Sequence, residues 1–526
     1  MNQSLPKGDE AARRARWTAE GRTLALIGVV LALRFAFAAA TGLGIDESYT
    51  VATSRVLTLS TFDHPPLAWW MSHFAAKFLG ESPLALRAPF VLISGGTSWL
   101  MFALTRRLFS AEAGFYAALT LALSPALGVA DAVWILPDAP LLPAMLACAI
   151  FLARVFFADD RRKAPRDWLL AGFFAGLAML SKYHGVLLFA GAGLFVLLSP
   201  RQRFWLATPW PWLAGLVALI VFSPVLIWNA QHHWVSFVFQ GGRSGAPHLR
   251  LLAPFALIGL QSLFLAPWIF FPLAALFLRT LWRGPSRERD FFLACLGAFP
   301  IVLFTLVALW SSHRVLPHWA APGYLMIFPL LGREIAALIQ TGAQWPGKAL
   351  AAASAFTLLL AGAVVALPHL PLKSLAGKRD PLIEALRWDD FSRALEKNEW
   401  RKAGMFIAAT RWFEAGKLDV ALRGGLPVLC LSDDPRGFGL IRDPKDFVGR
   451  DALIVGQNLS PAEARARFGK YFDSIEPLAP VDIMAGAEPA IVLDVFRATR
   501  FHDPAPEFSL QPPSLAKTSS RPQFRN

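Results

Sequence analysis

Thr23 to Tyr49 reads TLALIGVVLALRFAFAAATGLGIDESY. From Thr23 to Thr41 the stretch holds a single charge, Arg34, and the acidic pair Asp46-Glu47 follows at once. About 20 apolar residues make a helix long enough to cross the hydrocarbon of a bilayer. The pattern recurs along the chain at 88–108, 113–130, 139–157, 168–182, 184–199, 210–228, 252–278, 291–310, 318–332 and 349–367, which with 23–41 makes eleven candidate spans. Composition agrees: 526 residues are 55% hydrophobic and 17% charged, where a soluble chain carries about 25% charge. A soluble globule, a disordered chain and a fibrous repeat are excluded. The fold class read here is a polytopic α-helical membrane protein.

The net charge of +14 would point toward nucleic acid in a soluble protein. Here basic loops beside an anionic membrane explain it, and no nucleic-acid partner is inferred. With the N-terminus inside, the cytoplasmic segments hold nineteen Lys and Arg, and the opposite loops hold seven: Arg55, Lys77, Arg87, Lys182, Arg243, Arg250 and Arg314. The positive-inside rule therefore sets the N-terminus in the cytoplasm. An odd number of spans then carries the C-terminal part outside, which in a bacterial inner membrane is the periplasm. Cys148, Cys295 and Cys430 lie far apart, with neither metal spacing nor a disulfide framework.

Four regions follow. Residues 1–22 read as a cytoplasmic tail before an uncleaved first helix. Residues 23–368 form the membrane domain, with a long outside loop at 42–87. Residues 369–503 read as a small α/β domain, with strands at Met405–Thr410, Leu426–Leu431, Ala452–Val455 and Ile491–Phe496 and helices near 381–397, 411–422 and 461–469. Residues 504–526, with repeated Pro, Ser and basic residues, read as a disordered tail.

The 42–87 loop predicts two interfacial helices, 47–59 and 67–79, separated by the rigid break Asp63-His64-Pro65-Pro66. This makes a roof whose floor carries Asp46, Glu47, Asp63 and His64. Other polar residues sit at outside ends of spans: Asp138, Ser181-Lys182-Tyr183-His184, Asn229 with His232 and His233, Gln240 to Arg243, and Ser311 to Arg314. All converge on one face, and ionisable residues at membrane depth usually mark a site. Arg34, mid-span, calls for a buried partner, which a carboxylate could supply. The tryptophans near span ends read as an interfacial belt, with Trp69 and Trp70 on the roof as exceptions.

Asp46-Glu47-Ser48-Tyr49, Phe62-Asp63-His64-Pro65-Pro66, Pro137-Asp138-Ala139-Pro140, Ser181-Lys182-Tyr183 and Ser223 to Asn229 resemble, as an ordered set, one group of enzymes. It is the bacterial branch of the dolichyl-phosphate-mannose protein mannosyltransferase and aminoarabinose lipid A transferase superfamily, the GT-C glycosyltransferases. The likeness covers about residues 23–330. Some members have thirteen spans, so the count here runs from about eleven up to thirteen. The resemblance implies transfer of a sugar from a polyprenyl-phosphate donor to an envelope acceptor, lipid A or another glycolipid or glycan, in the membrane.

Such chemistry needs a carboxylate to accept or position the acceptor proton and cations, or a metal, to neutralise the leaving phosphate. The resemblance implies Asp46 as base; the plain alternative is an acidic start to the helix, favoured by its dipole. Glu47 is read as orienting Tyr49 or a nearby cation, and Asp138 as a second site carboxylate, against a plain N-cap. Donor phosphate binding is assigned to His64, Lys182, Arg243 and Tyr49. For Lys182 and Arg243 the alternative is snorkelling to the interface, and Lys182 is read as having few neighbours able to pair with it. Asp63 matches the acidic position that binds metal in the aminoarabinose branch. The ligand set is incomplete by spacing, although His232, His233 and His313 are available, so a divalent cation stays an open option. A transporter or flippase is the reading from another class. Its usual internal repeats and midplane polar sites are not found in the sequence.

Overall fold

The structure, a computed structural model, describes residues 18–158, 161–242, 249–311, 315–366 and 386–502, with Phe508. Among these, seven helices are long and apolar enough to cross a membrane, or eight if one bent pair counts as a span. The chain is a multi-pass membrane protein. Helix α1, Ala19–Ala40, starts where the Thr18 hydroxyl accepts from the Gly21 N–H at 3.1 Å. Its 22 residues extend about 33 Å.

The outside loop folds as two helices, α2 (Ile45–Thr53) and α3 (Leu67–Leu79), before the long α4 (Pro83–Leu108). The first roof helix is shorter than its apolar pattern predicts. Ser54 folds its hydroxyl back onto the Val51 carbonyl at 2.8 Å, and Arg55 turns aside to two carboxylates.

Three expected spans are broken. The 113–130 stretch becomes α5 (Ala111–Ala122) followed by Pro125–Val133, with a bend of 83°. Pro125 has no N–H with which to continue the helix. After the bend the Ile135 N–H reaches Glu47 of the roof. The 252–278 stretch is split between Ala253–Leu265 and Pro267–Arg283 by Ala266, whose φ is +74°. The tenth stretch, 318–332, likewise divides into Pro317–Trp319, Ala321–Leu325 and Phe328–Gln340. Between these lie α6 (Asp138–Phe156), α7 (Ala164–Ser181) and Trp210–Gln231, which pack on one another.

Beyond residue 386 the chain forms one sheet in the order β2-β1-β3-β6-β4, with β5 paired to β6. The strands are β1 (Phe406–Ala409), β2 (Val428–Cys430), β3 (Ala452–Gly456), β4 (Phe472–Pro477), β5 (Val481–Ala485) and β6 (Glu488–Phe501). β1 runs parallel to β2 and β3; β6 runs antiparallel to its neighbours. The four strands read from the sequence are present. β4 and β5 are additional: polar residues interrupt both. The helix α8, Trp412–Ala421, follows β1. The tail reading of 504–526 lies outside the described residues, except that Phe508 is buried and packs edge-on against Tyr471. Most of the 1–22 reading also falls outside them.

The α/β part and the roof share one apolar core. Tyr49, Val51, Ala52 and Trp69 of the roof belong to the same buried cluster as Ile407, Ala415, Leu418 and Leu453. At Gly416 of α8 an added Cβ would lie 2.8 Å from the Tyr49 backbone nitrogen. Only the smallest side chain lets the two helices approach this closely.

Candidate active site

The acidic start of α2 puts adjacent carboxylates on different faces, because each helical residue rotates by about 100°. Asp46 is exposed, while Glu47 is 2% exposed. Glu47 accepts four hydrogen bonds: from the Gly44 N–H (2.7 Å), the Ile135 N–H (3.0 Å), Arg87 Nε (2.7 Å) and Arg87 Nη2 (2.5 Å). Arg87 is itself 1% exposed and donates further to the carbonyls of Ala38, Thr41 and Gly42. The cation that Glu47 orients is therefore Arg87 of α4, a residue the sequence reading counted only as loop charge.

Asp63 is buried, and Tyr49 donates its hydroxyl to Asp63 Oδ1 at 3.3 Å. The same hydroxyl accepts the Gly437 N–H at 3.0 Å. Burial, reinforced by the Asp63 charge, pushes the Tyr49 phenol well above its usual range. The Gln240 side chain donates to the Asp63 carbonyl. His64 is half-buried, with its ring 5.8 Å from that of Trp69. Trp69 is tied to the roof through Thr53 Oγ1 at 2.7 Å, and Trp70 through the Thr58 carbonyl at 2.7 Å.

Lys182 does have a partner. Its ammonium meets both oxygens of Asp138, at 2.8 and 2.7 Å, with both residues buried. The expectation of few pairing neighbours fails because the chain between them, which sets them 44 positions apart, forms a packed helix pair, α6 against α7. Asp138 is the first residue of α6, but its carboxylate goes to Lys182 and not to the helix end. Asp131, His184 and His318 lie close enough to act on this pair electrostatically, and His64 on His184. One Asp131 carboxylate oxygen and one His184 ring nitrogen are buried with no hydrogen-bond partner among the described residues. The sequence reading passed over Asp131, although a lone carboxylate in the apolar run 125–136 is itself a signal.

Arg34 binds no carboxylate among the described residues. It donates to the Gly128 carbonyl at 2.7 and 3.1 Å and to Ser94 Oγ at 2.9 Å. His232 is stacked on Trp228, with ring centroids 4.0 Å apart, and bonds the Trp228 carbonyl. Among the described residues no three of His, Cys, Asp and Glu converge as a metal-ligand set. Arg243 and His313 lie outside the described residues.

Residues 63–228 match a family model described as dolichyl-phosphate-mannose-protein mannosyltransferase. The structure of ArnT from Cupriavidus metallidurans bound to undecaprenyl phosphate superposes with a TM-score of 0.65 at 17% identity, covering 90% of this chain and 97% of that one. The likeness to ArnT is one of fold, and the family model covers less than half of the chain. Two relatives are similar in sequence. The lipid A galacturonosyltransferase RgtD of Rhizobium johnstonii is 25% identical over 54% of this chain and 59% of its own length. The undecaprenyl phosphate-alpha-4-amino-4-deoxy-L-arabinose arabinosyl transferase of Edwardsiella ictaluri is 25% identical over 51% and 50%. The matched stretch thus spans between half and three fifths of these relatives.

Proposed function

We propose that this chain is an integral-membrane glycosyltransferase that moves a sugar from a polyprenyl-phosphate donor to an envelope acceptor, lipid A or another glycolipid or glycan. The observation that carries the reading is the exposed Asp46, one residue from a buried carboxylate locked to Arg87, on a roof that also carries Asp63 and His64. The relatives, named for transfer onto lipid A and for an undecaprenyl-phosphate-linked sugar, support the substrate class.

In this reading Asp46 takes the proton of the acceptor hydroxyl or holds the hydroxyl for attack. The acceptor oxygen bonds to the anomeric carbon, and the bond from that carbon to the lipid phosphate breaks. His64, Lys182 and Arg243 supply positive charge to the leaving phosphate. Lys182 does so as one half of its pair with Asp138, which fixes the ammonium in place. Glu47 and Tyr49 hold the roof in shape. A divalent cation at Asp63 would add charge to the same end of the reaction.

The reading also fixes an orientation. The roof, the transfer site and the α/β domain (369–503) face the periplasm of the inner membrane, the tail before residue 23 faces the cytoplasm, and eleven to thirteen spans lie between. A reporter fused after residue 400 is then active only if it works outside; activity in the cytoplasm would overturn this orientation.

The test of function uses membranes from a deletion strain, which hold native donor and unmodified acceptor. Purified protein added to them transfers sugar, read as mass gained by the acceptor. Asp46→Asn folds normally and is at least ~100-fold slower. Near-normal transfer by Asp46→Asn would overturn the assignment of the base.

A further inference from the structure

Tyr49 stands where three parts of the molecule meet. Its ring is buried against Trp69 of α3, Trp412 of α8 and Phe438, with centroids 5.4 to 6.3 Å apart. Its hydroxyl touches the α/β part on one side and the roof on the other. A phenol has one hydrogen. The Gly437 amide can only donate, so it takes an acceptor lone pair of the hydroxyl, at 3.0 Å. The phenol hydrogen is left for the carboxylate of Asp63, at 3.3 Å. Gly437 N–H, Tyr49 O–H and Asp63 carboxylate thus form a directed chain across 388 residues of sequence.

The Gly437 end of this chain is fixed. A Cβ at Gly437 would lie 2.7 Å from the Tyr49 hydroxyl, 3.3 Å from Thr53 Cγ2 and 3.5 Å from Tyr49 Cζ. Glycine is the residue that lets the turn reach the hydroxyl. The neighbouring Arg436 lies 3.9 Å over the Trp412 ring and pairs with Asp434 at 3.5 Å. Arg55, at the end of α2, binds Glu81 of the roof at 2.6 Å and Asp419 of α8 at 2.5 Å. Lys417 of α8 donates to the Leu43 carbonyl.

We infer that the α/β part belongs to the transfer site: its turn at Gly437 sets the orientation of Asp63 through the Tyr49 hydroxyl. Tyr49 and Gly437 are then positioning residues, and Asp63 is the group they act on. The inference rests on the proposed function, in which His64, the residue next to Asp63, meets the leaving phosphate. It adds that the soluble-looking part of the chain is needed for the rate and does not merely cover the site.

The test uses the full-length purified protein with membranes from a deletion strain, at a temperature where thermal melting shows each variant folded. Tyr49→Phe keeps the buried ring and removes both hydrogen bonds of the hydroxyl. Gly437→Ala drives a methyl into that hydroxyl. Each variant should lower kcat about 10–100-fold while leaving the apparent KM for the membrane donor near that of wild type. The double variant decides between positioning and packing. Without the hydroxyl the 2.7 Å clash is gone and the tightest contact left is the Thr53 methyl at 3.3 Å, a side-chain end that can give by a few tenths of an ångström, so Tyr49→Phe/Gly437→Ala should be no slower than Tyr49→Phe. Losses that multiply in the double variant, or wild-type rates in both single variants, overturn the inference while leaving the proposed function intact. Absence of transfer by the wild-type protein overturns the function, and this inference with it.

Discussion

Replacing Glu47 with Gln is a one-atom change whose consequences can be worked from its surroundings. The carboxylate has four acceptor positions and all four are occupied, two by backbone N–H groups and two by Arg87. An amide has one oxygen. Whichever way it is turned, its NH₂ faces one backbone N–H and one guanidinium nitrogen, donors against donors. Two hydrogen bonds are lost, one of them charged, and Arg87 is left buried with a net positive charge and only carbonyls and a hydroxyl around it. Removing one member of a buried pair costs about 3–5 kcal/mol, roughly two to four orders of magnitude in the folded-to-unfolded ratio. Unfolding of the purified protein in detergent, by heat or graded denaturant, should show Glu47→Gln clearly less stable than both wild type and Asp46→Asn. Arg87→Met should be destabilised similarly. The double variant should lose less than the two single losses added, since both break the same pair. A wild-type unfolding midpoint for Glu47→Gln together with lost transfer would refute the reasoning, because Glu47 would then act in the chemistry and not in holding the roof.

Lys182→Ala leaves Asp138 buried without its ammonium, so it should lower both stability and use of the polyprenyl-phosphate donor. Lys182→Arg, which keeps the charge, should recover stability more fully than donor use; normal donor use by Lys182→Ala would reduce the pair to a packing element. Glu414 of α8 is held above the usual carboxylate range by burial, which outweighs its bonds from Thr410 Oγ1 (2.6 Å) and the Gln457 N–H (3.0 Å). Between the unfolded value, near 4.3, and the raised folded value the native state binds the extra proton, so stability falls as pH rises through that window and is flat below it. Glu414→Gln, whose amide can donate to the Thr410 hydroxyl and accept from Gln457, should remove that part of the slope in melting curves taken across pH; an unchanged slope would count against it.

How much of this was legible in the sequence depends on how far each feature reaches along the chain. The membrane class, the roof helices and four strands rest on local periodicity, and the sequence displays them. The breaks at Pro125 and Ala266 were missed because hydropathy continues smoothly through both. Pro125 was a usable signal. So was Pro267, which disfavours a helical conformation in the residue before it; only the positive sign of the Ala266 φ, +74°, goes beyond that signal. β4 and β5 were missed because short polar segments become strands only by pairing with β6.

The candidate site divides in the same way. The order of acidic, His-Pro-Pro and lysine elements could be read from the chain, but their partners could not. Arg87 lies 40 residues from Glu47, Lys182 lies 44 from Asp138, and Gly437 lies 388 from Tyr49. Each partner is chosen by helix packing that composition does not encode. Asp46 and Glu47 show what this does to function. They are neighbours of nearly equal chemistry, and the sequence alone weighs them as a pair. One step of helical rotation then separates them: Glu47 turns inward, where Arg87 and two backbone amides use every lone pair it has, and Asp46 turns outward to an exposed face. A carboxylate with all its acceptor positions filled cannot also take a proton from an incoming hydroxyl, which is why, of the two, the proposed base is Asp46.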